Sequence, residues 1–349
     1  MTERTLIERL DEAIDAILAG HTSGLALADP DLATMLVAAD ELRALPDPRF
    51  QARLKAELVP QTPSKTEAEE RMTAMTITSV KPGFHTVTPY LIVNGAAPMI
   101  EFLRDVFGAE ERLRVPDATG RVMHAELRIG NAVLELSDGS EEFPPMPSSF
   151  HVYLEDADAV YARAMAAGAT SLEEPVDQPY GDREAGFADS FGNQWWVATH
   201  REDVSEEEMM RRFASPVPLR PMPGVGPAPK GYWTVNTGAR VQGASRLIEF
   251  LRDAFHADIA SRTEGPDGTI MHADVVIGDS TYEVSDARGS YGPTRSAVHL
   301  WVEDVDAVYT RAMAAGAKSM RPPADAPYGE RGAAIVDPVG NHWFLAKPL

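Results

Sequence analysis

A long internal repeat is the feature that most restricts how this chain can fold. The segment that starts at Val93 matches the segment that starts at Val241, an offset of 148 positions, and no gap is needed to the end of the second copy. The matched segments include Ile100–Asp105 with Ile248–Asp253, Met123–Ala125 with Met271–Ala273, and Tyr180-Gly181 with Tyr328-Gly329. A register held over this length indicates two duplicated domains.

Each copy is predicted to contain a strand, a helix and three strands, and then the same order again. Apolar residues that alternate indicate strands, and apolar residues at helical spacing indicate helices. In the first copy these rules predict strands over 87–93, 121–129, 132–136, 150–154, 185–189 and 194–199, and helices over 97–107 and 157–167. Gly168 is a typical residue for the end of the second helix.

The sequence before the repeat differs from it in character. Thr5 and Glu8 form a capping box, and Leu6, Leu10 and Ile14 recur at helical spacing. Residues 1–57 are therefore predicted to be a helical module, followed by a linker over 58–83 that is charged and contains proline and glycine. The two copies then occupy 84–200 and 231–349, joined by a connector over 201–230 that contains a short helix.

Composition excludes several classes of function. The chain has no cysteine, so it has no disulfide, thiolate metal site or thiol nucleophile. Its formal net charge of -21 argues against binding to nucleic acid, which needs clustered basic residues. No apolar run approaches the roughly 20 residues of a membrane span, and the charged N-terminus does not look like an export signal. We therefore expect a cytoplasmic protein without a nucleic-acid or membrane partner.

Several motifs of the repeat resemble a known family. Val87–Leu91, His124–Gly130 and Asp189-x-x-Gly192-Asn193-x-Trp195 are similar to the PhnB-like branch of the vicinal-oxygen-chelate superfamily, which contains glyoxalases, bleomycin-resistance proteins and dioxygenases. The resemblance covers roughly 84–212 and 231–349. It implies an α+β fold of two tandem domains behind a small all-α module, and within each domain the two paired βαβββ modules are expected to form one curved eight-stranded sheet. Single-domain relatives generally dimerise, so the two domains are expected to pack as an intrachain pseudo-dimer.

The alternation of side chains along each strand predicts which residues face the hollow side of the sheet. Met123, Ala125 and Leu127 are apolar and are expected to pack under the helices, which leaves His124 and Glu126 on the concave side. By the same argument the concave residues are Glu135, His151 and Tyr153 in the first copy, and His272, Asp274, Glu283, His299 and Trp301 in the second.

The resemblance also implies where a divalent metal ion would bind. The family's ligand positions correspond to Thr88, Glu135, Ser149 and Trp196 in the first copy, and to Asn236, Glu283, Ala297 and Phe344 in the second. Only the glutamates are strong ligands, whereas a catalytic site normally uses about three protein ligands, so we expect the usual metal site to be lost. No other cofactor is expected.

The concave histidines leave three interpretations open. Glu135 with His124 and His151, and Glu283 with His272 and His299, are candidates for two shifted metal sites. The same side chains are equally suited to a polar wall that recognises a ligand, where a His–Glu pair can also act as a general base. The third interpretation gives them a structural role only.

Arginines and aromatic residues supply further candidates for a ligand cavity. Arg183 and Arg331 follow a Pro-Tyr-Gly turn and are candidates for holding a carboxylate or phosphonate at the cavity mouth, unless they are simply exposed. An aromatic lining is suggested by Tyr90, Tyr153, Trp196, Trp301 and Phe344, with ordinary core packing as the alternative.

Three hypotheses on function follow. The first is a small-molecule binding protein of the antibiotic-resistance kind, without the usual metal. The second is a metal-dependent lyase or dioxygenase that uses the shifted His and Glu residues. The third is a regulatory protein whose tandem domains sense a ligand while residues 1–57 bind a protein partner.

Overall fold

A computed structural model describes residues 80–214, 226–265, 267–288 and 292–349. The predicted helical module over 1–57 and almost all of the predicted linker lie outside these residues. Among the helices of the described part, none is long and apolar enough to span a membrane.

The described residues form two βαβββ modules in each copy, as the repeat predicts. The first copy contains β1 (Val87–Val93), α1 (Ala96–Phe107), β2 (Glu110–Pro116), β3 (Val122–Ile129), β4 (Ala132–Asp138), β5 (Ser149–Tyr153), α2 (Ala157–Ala166), β6 (Thr170–Asp177), β7 (Asp182–Ala188) and β8 (Gln194–His200). The connector contains α3 (Glu206–Ala214). The second copy contains β9 (Val235–Val241), α4 (Ala244–Phe255), β10 (Asp258–Glu264), β11 (Ile270–Ile277), β12 (Ser280–Asp286), β13 (Ala297–Trp301), α5 (Val305–Ala314), β14 (Lys318–Ala326), β15 (Glu330–Val336) and β16 (His342–Pro348).

These strands form two eight-stranded mixed sheets, which confirms the predicted fold class. Sheet A has the order β14-β15-β16-β13-β1-β4-β3-β2, and sheet B has the order β10-β11-β12-β9-β5-β8-β7-β6. Each sheet therefore takes one module from each copy. The expectation that the two modules of one copy share a sheet is wrong, because local patterns specify the modules but not which modules pair.

Two antiparallel strand pairs join the copies. In sheet A, β1 pairs with β13, with Thr88 opposite His299. In sheet B, β5 pairs with β9, with His151 opposite Asn236. A turn of the other copy contacts the residues just before β1 and just before β9.

The turn between β3 and β4 shows how tight this contact is. The side chain of Asn131 accepts a hydrogen bond of 2.8 Å from the backbone N–H of Thr234, just before β9. Gly130 in the same turn has a φ of 57°, and a Cβ there would overlap the Thr234 side chain. The position therefore requires glycine for both its conformation and its space.

The two main hydrophobic cores, unlike the sheets, each lie almost entirely within one copy, whereas smaller apolar clusters join the copies, where Phe84 packs with Trp301 and Ile92 with Ala297. In the first copy Leu91 and Leu103 of the first module belong to the same buried cluster as Phe150 and Trp195 of the second. Phe107 at the end of α1 packs on Trp195, with ring centroids 4.9 Å apart. The second copy repeats this arrangement with Phe255 and Trp343 at 4.8 Å. Each copy thus contributes one core and half of each sheet.

The sharing of the sheets leads to a prediction about the first copy in isolation. A fragment of residues 80–214 would leave β1 and β5 without their antiparallel partners, and unpaired strand edges favour pairing with another chain. We expect the fragment to form a homodimer in which β1 of one molecule pairs with β5 of the other. Size-exclusion chromatography with light scattering measures this, with the full-length chain as the reference. A compact, stably folded monomer of the fragment would contradict the prediction.

Candidate functional site

The concave side of sheet A carries a group of histidines and glutamates, here called band A: His124, Glu126, Glu135 and His299. Glu126 on β3 lies directly opposite Glu135 on β4. His299 Nδ1 lies 2.7 Å from Glu135 Oε2, and His124 Nε2 lies 3.7 Å from Glu126 Oε1 and 3.8 Å from Glu135 Oε1. The ammonium group of Lys81 donates to Glu126 Oε1 at 2.6 Å. Band A therefore combines two carboxylates with three groups that are able to carry positive charge.

The concave side of sheet B carries the equivalent band B: His151, His272, Asp274 and Glu283. Asp274 lies opposite Glu283 on the neighbouring strand. His272 Nε2 lies 2.9 Å from Asp274 Oδ1, and His151 Nδ1 lies 2.9 Å from Glu283 Oε1. On its other side, His151 Nε2 lies 3.2 Å from Glu184 Oε2.

The two bands correct the predicted grouping of these residues. His151 was expected to join Glu135 and His124, and His299 was expected to join Glu283 and His272. The structure exchanges the two histidines, because β5 belongs to sheet B and β13 to sheet A. The observed contacts bring these side chains together on the sheet face opposite the helices, and their role in lining a ligand cavity stays a prediction.

Electrostatic interactions within the bands favour the charged forms of several of their side chains. Burial alone would raise the pKa of Glu126, but the nearby His124 and Lys81 outweigh it and bring the pKa to about 2. Burial also raises the pKa of Asp274, but the contact with His272 and the hydrogen bonds from Ser261 and Tyr232 together bring it to about 2. Burial lowers the pKa of His151, yet Glu283 and Glu184 raise it well above its usual value. Glu135 has the same effect on the pKa of His299. These shifts favour the imidazolium forms of His151 and His299 and the carboxylate forms of Glu126 and Asp274.

Band B is more open to solvent than band A. The Glu135 side chain is 2% exposed, whereas the equivalent Glu283 side chain is 21% exposed. The Glu126 side chain is 5% exposed and the equivalent Asp274 side chain 18%. Since carboxylates that reach solvent also reach a diffusing ligand, band B is the more accessible of the two.

Aromatic residues flank both bands. In sheet A, Trp301 stacks on His299 with ring centroids 4.4 Å apart, and Phe84 contacts the edge of Trp301. At the other end of band A, Phe344 lies 5.2 Å from Tyr90. In sheet B, Tyr153 stacks on His151 with ring centroids 4.4 Å apart, and Tyr232 lies beside Tyr153. The third aromatic residue of this sheet, Trp196, lies under the guanidinium group of Arg240. The aromatic residues singled out from sequence are therefore on the concave faces, where several are also buried.

Arg183 and Arg331 do not lie at a cavity mouth. Arg183 binds both carboxylate oxygens of Asp158 at the start of α2, at 2.6 and 2.7 Å, and also contacts Asp177. Arg331 binds Asp306 and Asp325 in the same way. Arg183 has the strand parity of Ala185 and Phe187, which pack in the core under the helices. Both arginines therefore lie on the helix side of their sheets and are already paired with two carboxylates each, so these contacts do not support the anion-binding role, which stays a prediction.

The family's usual metal-ligand positions do not fit a metal ion in this chain. In sheet A they are Thr88, Glu135, Ala297 and Phe344, and in sheet B they are Asn236, Glu283, Ser149 and Trp196. The Thr88 hydroxyl donates to the backbone oxygen of His85, and the Asn236 amide donates to the backbone oxygen of Trp233. Since each set offers only one carboxylate as a strong ligand, we derive no reaction step through a metal at these positions.

Sequence reasoning missed a buried network beside band B. The Tyr153 hydroxyl donates to Asp182 Oδ2 at 3.1 Å, and His200 Nδ1 lies 2.6 Å from Asp182 Oδ1. Asp182 and Glu184 alternate with Arg183 and Ala185, so strand parity would have placed both carboxylates on the concave side. Lys81 was missed because it lies outside the repeat, in the predicted linker.

The ion pair of His200 with Asp182 predicts a pH-dependent contribution to stability. The hydrogen bond to Asp182 raises the pKa of His200 in the folded state despite burial. The pair therefore stabilises the fold fully below the unfolded pKa of about 6.5, and this contribution is lost as the pH rises through the raised folded value. His200→Gln should lower the free energy of unfolding by about 2 kcal/mol at pH 5.5 and by clearly less at pH 9.

Urea unfolding at the two pH values measures the difference. Asp203→Asn is the matched control, because Asp203 contacts the other nitrogen of His200 but its side chain is 88% exposed, so we expect little change. An equal loss of stability for His200→Gln at both pH values would contradict the charged pair.

Comparison with known proteins agrees with this fold. The sequence profile of the Glyoxalase/Bleomycin resistance protein/Dioxygenase superfamily matches residues 83–197 and 234–345. Over 140 residues the chain is 34% identical to the uncharacterized protein Mb0911c of Mycobacterium bovis, a match that covers 37% of this chain and 92% of that protein. The uncharacterized protein Rv0887c of Mycobacterium tuberculosis matches with the same identity over 82% of its length.

Solved structures extend the comparison to both copies together. Glyoxalase I from Zea mays is similar with a TM-score of 0.51 and 18% identity, covering 75% of this chain and 92% of that chain. A PhnB protein from Bacillus cereus matches 32% of this chain with 19% identity and a TM-score of 0.28, so the PhnB-like branch stays a prediction. The two profile matches cover more than half of the sequence, and the chain belongs to the glyoxalase/bleomycin resistance protein/dioxygenase superfamily.

Proposed function

We propose that this chain binds small organic cations that carry an aromatic ring, on the concave faces of its two sheets. The observation that supports this most directly is the combination found twice: a band of carboxylates and histidines with aromatic rings at its ends. The proposal places the chain with the members of its superfamily that bind ligands rather than with those that use the usual metal site.

Charge determines the class of ligand. Glu126 and Glu135 lie directly opposite each other on adjacent strands, as do Asp274 and Glu283. Like charges in such positions repel, and a cation between them removes the repulsion. With Glu184 nearby, band B has more carboxylates than imidazoles. An anionic ligand would add to this excess, whereas an ammonium or guanidinium group would reduce it.

The aromatic rings favour a flat ligand. Trp196 and Tyr232 in sheet B, and Tyr90 and Phe344 in sheet A, offer ring faces or edges beside the carboxylates. Aromatic faces attract both other rings and cations. A ligand with a positive charge attached to a ring would use both features at once.

A second candidate function is that of a metal-dependent lyase or dioxygenase. Its metal ligands would be a histidine and two carboxylates that lie on the same sheet. The observation that favours it is the closeness of the donor atoms: those of His124, Glu126 and Glu135 lie within 4.8 Å of one another, and the same holds for His272, Asp274 and Glu283. Loss of ligand binding after chelation would favour this candidate over direct ion pairing.

The regulatory hypothesis depends on residues 1–57, outside the described residues, and remains a prediction.

The proposal is tested by calorimetric titration of the full chain with pairs of aromatic compounds that differ only in charge, such as a benzylamine and the matching benzoate. We expect the amine to bind about tenfold more tightly or better, and its affinity to fall as salt is added. Glu283→Gln should weaken binding at sheet B by about tenfold, since one ion pair is lost.

The control variant is Glu155→Gln, which removes the same charge from an exposed position between β5 and α2. It should leave the affinity unchanged. Benzoates that bind as tightly as the amines, or equal effects of the two variants, would overturn the proposal.

A further inference from the structure

Bands A and B contain equivalent histidines and carboxylates, but the sources of positive charge around them differ. We propose that band B is a site for one divalent transition-metal ion, held by His272, Asp274 and Glu283, and that the ammonium group of Lys81 takes the equivalent place in band A. The inference concerns an inorganic ion and does not depend on either sheet binding an organic molecule.

The donor set of band B suits such an ion. One nitrogen and two carboxylate oxygens, from His272, Asp274 and Glu283, lie within 4.8 Å of one another. Imidazole together with carboxylates is a typical set for zinc, iron, manganese or nickel. A metal ion would replace the proton that His272 Nε2 and Asp274 Oδ1 share at 2.9 Å. These residues lie on β11 and β12, and only Glu283 is also one of the family's ligand positions, so the set differs from the usual one.

The ligands of band B are also held by outer hydrogen bonds. The Tyr232 hydroxyl donates to Asp274 Oδ1 at 2.5 Å, and the Ser261 hydroxyl donates to Asp274 Oδ2 at 2.6 Å. His151 contacts Glu283 Oε1 at 2.9 Å. Contacts of this kind orient metal ligands and are a usual part of a metal site.

Band A provides independent evidence that this arrangement of one histidine and two carboxylates binds a cation. Its His124, Glu126 and Glu135 have the same close spacing, and there a cation is already present. Lys81 Nζ lies 2.6 Å from Glu126 Oε1, the same oxygen that His124 Nε2 approaches at 3.7 Å. The Phe84 ring, 4.8 Å from the ammonium group, packs against it.

Among the described residues, band B has no counterpart of this lysine. The repeat offset places Pro229 at the position of Lys81, and the neighbouring Lys230 is exposed. Tyr232 replaces Phe84 and brings a neutral hydroxyl to Asp274. Arg240, which also lies on sheet B, contacts Gln194 and the ring of Trp196. The greater exposure of Asp274 and Glu283 leaves a path for an ion from solvent.

The test is titration of the full chain, freed of any affinity tag and of chelator, with Co²⁺. A background of Mg²⁺ and salt occupies the many exposed carboxylates. We expect one equivalent of Co²⁺ per chain, with visible absorption bands from nitrogen and oxygen ligands. His272→Gln and Asp274→Asn should each weaken binding by on the order of 100-fold. Glu126→Gln, the matched change in band A, should leave it unchanged.

Lys81→Met provides a gain-of-function test, because it removes the ammonium group without disturbing band B. We expect the stoichiometry to rise from one to two equivalents. The side chain of His272 is 46% exposed, so His272→Gln is the variant that should fold normally if Asp274→Asn does not. No Co²⁺ binding above that of His272→Gln would overturn the metal site, and a stoichiometry of one in Lys81→Met would overturn the role of Lys81.

Discussion

The antiparallel pairing of β1 with β13 and of β5 with β9 is the interaction on which the rest of the structure depends. It joins residues that are far apart in sequence, so that Glu135 reaches His299 and Glu283 reaches His151. Neither band exists in one copy alone, because each takes its carboxylates from one copy and one histidine from the other. The chain therefore gains two composite sites from a single duplication.

The interactions that stabilise each copy differ from those that join the two copies. Most buried apolar side chains pack within a copy, as Phe107 does with Trp195 and Phe255 with Trp343. Backbone hydrogen bonds cross between copies, and the turn at Gly130 packs against Thr234. Loss of one core would thus remove half of each sheet and both bands at once. We expect the two copies to unfold together rather than as independent domains, since neither sheet is complete without both.

Strand parity separated the side chains that pack under the helices from those on the opposite face, because one face of each strand packs against apolar residues and the other does not. It could not predict which modules share a sheet, since within-copy and cross-copy pairing require the same local pattern. The edge strands β2 and β6 received no residue assignment because both are largely exposed and show no apolar alternation. Lys81 belongs to band A only through the fold, and nothing in the sequence around it indicates a partner at Glu126.

Because the two copies are part of one chain, the residues around band A and band B are able to differ. A homodimer of one domain has identical sites by symmetry, and any substitution changes both. In this chain the same offset relates Lys81 to Pro229, Phe84 to Tyr232, Tyr90 to Gly238 and Glu184 to Gly332. These differences lie around a shared set of histidines and carboxylates, so the donor groups stay the same while their charge balance and exposure change. Band A carries its own ammonium group and is nearly closed, whereas band B has an additional carboxylate and is open. The physical consequence is that a cation from solvent gains more at band B, where it meets uncompensated negative charge, than at band A, where it must first displace Lys81.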